Sequence, residues 1–121
     1  MSGCTSPEAR EERAVIVALS NLRDSSADDP GKRRELIAAL LKVPATTPLA
    51  REVRDTCAET YQLMLDGREE TQKIKAEMER LGAAPKNALA DLAAAKEKID
   101  KSETTMKACQ KATVELTMKR R

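Results

Sequence analysis

The sequence predicts an all-α fold: two short N-terminal helices packed at the base of a long antiparallel helical hairpin. Three observations carry that reading. The chain has 121 residues, no His, Trp or Phe, and one aromatic residue, Tyr61. Runs of β-branched and aromatic residues alternating with polar ones, the mark of strands, are therefore missing. Charged residues make up 35% of the chain, interleaved with abundant Ala and Leu, which is the composition of long exposed helices. Two extended segments also keep apolar or small residues at alternating steps of three and four.

The prolines set the element boundaries. Proline suits the first turn of a helix, where its missing N–H is no loss, and Ser, Thr or Asp suits the cap before it. Ser6-Pro7, Asp29-Pro30 and Thr47-Pro48 all have this form. Residues 1–6 read as a tether and 7–121 as one helical domain. The first helix spans 7–24, with Val15, Ile16, Ala18, Leu19 and Leu22 on one broad apolar face. The second spans 31–42, carrying Leu36, Ile37, Leu40 and Leu41. The third runs 48–81, interrupted only by Gly67, and Gly82 follows it as a C-terminal glycine. The fourth runs 85–119, although Ala84 is a poor cap for it. At 1.5 Å per residue each long helix spans about 50 Å, too long for a small globular bundle.

The third helix carries a seam of Val53, Cys57, Thr60, Met64, Gly67, Thr71, Ile74, Met78 and Leu81. The fourth carries Leu92, Ala95, Ile99, Ser102, Met106, Cys109, Thr113 and Leu116. This is coiled-coil spacing. If the chain folds back at Ala83, facing residues have numbers that add to 166: Ile74 meets Leu92, Thr71 meets Ala95, Gly67 meets Ile99 and Thr60 meets Met106. Small faces large, which lets layers interdigitate at normal density.

Cys57 and Cys109 obey the same rule, so a disulfide between them is predicted to join the two long helices. Closing a loop of that length is worth about 4 kcal/mol in the chain-entropy picture. Gly67, Thr71, Ala95 and Ser102 bury little apolar area, so the seam needs such help. The alternative is two reduced cysteines acting as small core residues.

Near the open end a second apolar face appears, with Ala58, Tyr61 and Leu65 on the third helix and Val114 and Met118 on the fourth. The two short helices are expected to cover it, leaving the hairpin to project between Asp66 and Thr104. Ala90, Ala93 and Ala94 form a flank of small residues on the fourth helix. It permits close approach by a protein partner or a second copy, although Ala is also simply the best helix former.

One cysteine is left over. Ser2-Gly3-Cys4 resembles the end of a bacterial lipobox, in which the cysteine becomes the lipidated first residue of a mature lipoprotein; Met1 stands where that motif carries Leu. The three residues ahead of Cys4 are too few for a secretory signal, so the resemblance implies the mature part of an outer-membrane-type lipoprotein facing the periplasm. An oxidising compartment agrees with the predicted disulfide. The alternative is a cytoplasmic coiled-coil protein with an incidental Cys4. In general plan (small, all-α, one disulfide, lipidated N-terminus) the chain is similar to pilotins, which escort secretins of bacterial secretion systems. Ser2-Gly3-Cys4 is the only motif behind that likeness.

Catalytic patterns are missing. Without His there is no imidazole base and no Ser-His-Asp or Cys-His arrangement. The glycines are isolated, so no phosphate loop is present. No metal site, cofactor or enzyme activity is expected. Glu11-Glu12 and Glu69-Glu70 read as solvated faces, with Glu69–Lys73 and Glu97–Lys101 as i,i+4 pairs.

Three function classes remain. The first is a lipid-anchored adaptor presenting helical surface to a protein partner. The second is a self-associating structural coiled coil. The third is a cytosolic arm contacting nucleic acid through Arg51, Arg54, Lys119, Arg120 and Arg121. The formal charge of only +2, with acids and bases interleaved, makes the third the least favoured.

Overall fold

The computed structural model describes residues 6–120. It contains α1 (Pro7–Arg23), α2 (Pro30–Lys42), α3 (Pro48–Leu81) and α4 (Ala88–Lys119), with no strand among the described residues. Three of the four starts follow the Ser/Asp/Thr-Pro pattern. Ser6 Oγ accepts from the Ala9 N–H at 3.1 Å, Asp29 Oδ1 from Lys32 at 3.0 Å and Thr47 Oγ1 from Ala50 at 3.3 Å. At the end of α3, Gly82 takes a left-handed φ of 69° and donates its N–H to Met78 O at 2.9 Å. A side chain would resist that conformation.

The start of the fourth helix differs from expectation. Pro85 does not open α4. Residues 82–87 form the hairpin turn, the Ala88 N–H bonds Pro85 O at 3.0 Å, and Asn87 is the N-cap without a side-chain capping bond. With Ala84 unable to cap, nothing holds the chain helical before Ala88.

The helices α3 and α4 pack along their length as an antiparallel hairpin. The register follows the 166 rule: Cys57 joins Cys109, and the backbone at Gly67 lies against Ile99. A Cβ built on Gly67 would stand 2.6 Å from Ile99 Cγ1 and 3.1 Å from Ala95 O, so only glycine allows this approach. Thr60 is fully buried and donates its hydroxyl to Thr105 Oγ1 at 2.8 Å, one position from the expected Met106.

The seam opens toward the tip. Ile74 and Ala95 are buried, but Met78 and Leu81, expected on the seam, are 41% and 53% exposed. The late start of α4 leaves them little to face.

The base is also less closed than expected. The helices α1 and α2 pack on each other and on α3, whereas α4 meets α1 only sparingly and α2 not at all. Val15, Leu19, Leu22, Ile37 and Leu40 thus cover Ala58, Tyr61 and Leu65 of α3. Val114 and Met118 of α4 remain solvent-exposed, contrary to expectation. Along α3 the cover reaches further than Asp66: the α1–α2 loop and the start of α2 share a hollow with Arg68 and Gln72. The bare distal part of α3, Lys73 to Leu81, is about 14 Å long.

Candidate functional site

Three features of the structure bear on function: the cross-link, a charged cluster that closes the base, and an open groove along α4.

The cross-link lies on the seam, where heptad spacing places both cysteines. Cys57 and Cys109 have their Sγ atoms 2.03 Å apart and their Cα atoms 4.9 Å apart. Both are buried, and the Thr113 hydroxyl lies 3.6 Å from the Cys57 sulfur. Of the residues singled out from sequence, these two are brought together as expected. Cys4, with Ser2 and Gly3, lies outside the described residues, as does Arg121.

At the base, Glu12 is 1% exposed, although Glu11-Glu12 read as a solvated pair. Its Oε2 accepts from the Lys119 ammonium and from the Thr47 hydroxyl, each at 2.8 Å. Its Oε1 stands 3.1 Å from Arg120 Nε, an ion contact whose geometry misses that of a hydrogen bond, so both atoms are left without one among the described residues. Burial alone would raise the Glu12 pKa. The bonds from Lys119 and Thr47 and the charges of Lys119 and Arg120 outweigh burial and hold it below its ordinary value. The signal was present in the sequence: Ala9, Glu12, Val15 and Leu19 share one stripe at helical spacing. Neighbouring Glu11 accepts from the Thr46 N–H and hydroxyl, at 2.9 and 2.8 Å. Together these contacts tie the first turns of α1 to the end of α4 and the start of α3.

The other charges also differ from the expected i,i+4 pairs. Glu69 pairs with Arg34 of α2, Glu70 with Lys98 of α4, and Lys101 with Glu59 at 3.6 Å. The first ties α2 to α3, and the other two cross the hairpin between α3 and α4. Of the basic set considered for nucleic acid, Arg54 is held by Asp55 and by Val43 O, and Lys119 and Arg120 are held by Glu12. Arg51 is exposed.

The groove runs along α4, beside α3 and the end of α1. One part, of about 430 Å3, lies between Met64 and Arg68 of α3 and Ile99, Met106 and Lys107 of α4. Through Met106 and Gln110 it continues into a hollow of about 260 Å3, walled by Leu19 and Arg23 of α1 and floored by Tyr61 and Cys109. Burial pushes the Tyr61 phenol up, partly offset by Arg33 and Arg23, and the Arg33 guanidinium lies over the ring, 5.7 Å from its centroid. Sequence reasoning missed this groove, because it assigned Val114 and Met118 to a covered face.

The flank of small residues is elsewhere. Ala90, Ala93 and Ala94 are all exposed, and Ala94 lines a separate hollow with Glu70, Lys73 and Asp91. That surroundings is charged rather than apolar.

Among the described residues no three His, Cys, Asp or Glu side chains are grouped to hold a metal ion, and no helix is long and apolar enough to cross a membrane. Compared with protein-family models, curated proteins and solved structures, the chain matches none.

Proposed function

We propose that the chain is a non-enzymatic, lipid-anchored adaptor facing the periplasm, which presents its helical hairpin to a protein partner, in the manner of a pilotin serving an envelope machine. The observation that carries this reading is the buried cross-link between Cys57 and Cys109. Disulfides persist in oxidising compartments and are rare in the cytosol. Pairing these two leaves Cys4 as the one remaining cysteine, and it follows Ser2-Gly3 as a lipidated cysteine does.

The arrangement of the ends supports the same reading. The first turns of α1 are bound through Glu12 to Lys119 and Arg120 at the end of α4. A lipid on Cys4, near the Ser6 cap of α1, would hold the open end of the hairpin at the membrane and direct the turn at 82–87 outward. Met78, Leu81 and Leu89, exposed near that turn, would be the apolar groups carried farthest from the anchor.

The test is fractionation of cells expressing the exported protein. The wild type should sediment with membranes, and Cys4→Ala should move it to the soluble fraction. A protein whose fractionation does not respond to Cys4→Ala is not anchored this way.

A further inference from the structure

We infer that the open face of α4 is where two copies of this chain pair, antiparallel, into a bundle of two hairpins. Such pairing goes beyond the adaptor reading and needs no lipid on Cys4.

The face runs from Ile99 to Met118. Ile99 and Met106 are only half-buried, and Val114 and Met118 are 57% and 63% exposed. Val114 and Met118 stay open because α2 does not reach α4 and α1 meets it only sparingly, through Leu19 and Arg23 at the edge of the groove. Along α4 itself the charges beside this stripe change sign at Met106, while Arg68 of α3 and Arg23 of α1 border the groove. Asp100 and Glu103 precede Met106, and Lys107 and Lys111 follow it. Asp100 is held by Lys96 at 2.8 Å. Glu103, Lys107 and Lys111 have no ion-pair partner among the described residues.

A helix face with the free acid Glu103 in one half and the bases Lys107 and Lys111 in the other is complementary to its own reversed copy. In an antiparallel pair centred between Met106 and Lys107, Ile99 lies opposite the second copy's Val114. Glu103 then lies within a turn of the second copy's Lys107 and Lys111. A parallel pair would set acid against acid and base against base, so charge selects the antiparallel arrangement. Each contact is made twice about a two-fold axis, and the assembly therefore closes at two copies.

The experiment is sedimentation equilibrium of the whole chain in a Cys4→Ser background, which prevents intermolecular disulfides, up to millimolar concentration. The parent protein should approach twice the 13.3 kDa chain mass. The variant K107E/K111E, with an acidic face, and E103K, with a basic one, should each raise the dimer dissociation constant at least tenfold. An equimolar mixture of the two should regain the dimer mass. All three positions are exposed, and helical circular dichroism verifies folding of each variant. A parent protein that stays at the chain mass overturns the pairing and leaves the groove to a foreign helix. Variants that dimerise like the parent overturn it in favour of another surface, such as Ala90–Ala94. A mixture that remains monomeric overturns charge pairing across this face.

Discussion

Glu12 is the one charged residue buried among the described residues, and its environment makes the consequences of substitution asymmetric. The carboxylate is 1% exposed, whereas the Lys119 and Arg120 side chains are 45% and 25% exposed. Removing the acid leaves two cations that water can reach. Removing the cations strands a charge in the interior. Glu12→Gln should therefore cost about 1–2 kcal/mol, and K119M/R120M about 3 kcal/mol or more, both read from urea unfolding at neutral pH. The pH dependence follows from the lowered pKa of Glu12. A carboxyl whose folded-state pKa lies below its unfolded value near 4.5 contributes fully above that value. The contribution disappears as pH falls from 4.5 through the folded-state pKa, and Glu12→Gln should flatten the stability profile in that window. The residue was misread because a charged pair next to Arg13 looks solvated. Only the three-four spacing from Ala9 through Glu12 to Leu19 placed it on the buried stripe. Composition indicated a surface residue while periodicity indicated the interior, and periodicity was the better guide.

At the scale of elements, the α3–α4 hairpin depends on small residues on one helix receiving large ones from the other. Gly67 is the tightest of these points. In an isolated helix Gly67→Ala would gain about 1 kcal/mol. Here the added methyl meets Ile99 Cγ1 and the Ala95 carbonyl, and overpacking of this kind costs about 1–3 kcal/mol. The net effect should be destabilising by about 1 kcal/mol, with the loss reduced in the G67A/I99V double variant; a thermal unfolding series on the four proteins measures both. A gain from Gly67→Ala alone would mean that the helices do not approach this closely. The hairpin register was legible because heptad spacing and turn position are local properties of the chain. The helix ends carrying Ser, Asp or Thr before Pro were legible for the same reason. Which helices α1 and α2 would cover was not. Tyr61, Leu65, Val114 and Met118 look alike as apolar residues beside a seam, and only the docking of α1 and α2 onto α3 decides that the first two are covered and the last two left open. The tip resisted reading too, since Pro85 follows a residue that cannot cap and α4 begins only at Ala88.

For the whole molecule, the link between the fold and the proposed function is the cross-link. The core is built without large aromatic residues apart from Tyr61, and the seam holds Gly67, Thr60, Ala95 and Ser102 at its buried positions. Such a seam provides little apolar area, so the cross-link is expected to contribute a large share of the stability that holds the two long helices together. The Cys57–Cys109 bond spans 52 residues. Replacing both cysteines by Ser should lower stability by about 4 kcal/mol in the chain-entropy picture, measured as a fall in the urea midpoint. The same bond is what the proposed export rests on, and the proposed lipid on Cys4 and periplasmic partner rest on export in turn. Sequence alone revealed the cysteine pair, because a position rule and a seam rule met at the same two residues. It could not reveal a partner, because helix surfaces recognise one another by shape and charge that no short motif records. The most direct measurement is peptide mapping, by mass spectrometry under non-reducing conditions, of protein alkylated during extraction from the cell that makes it. The account predicts a linked pair of peptides containing Cys57 and Cys109, with neither cysteine alkylated. Recovery of both as alkylated thiols would contradict it.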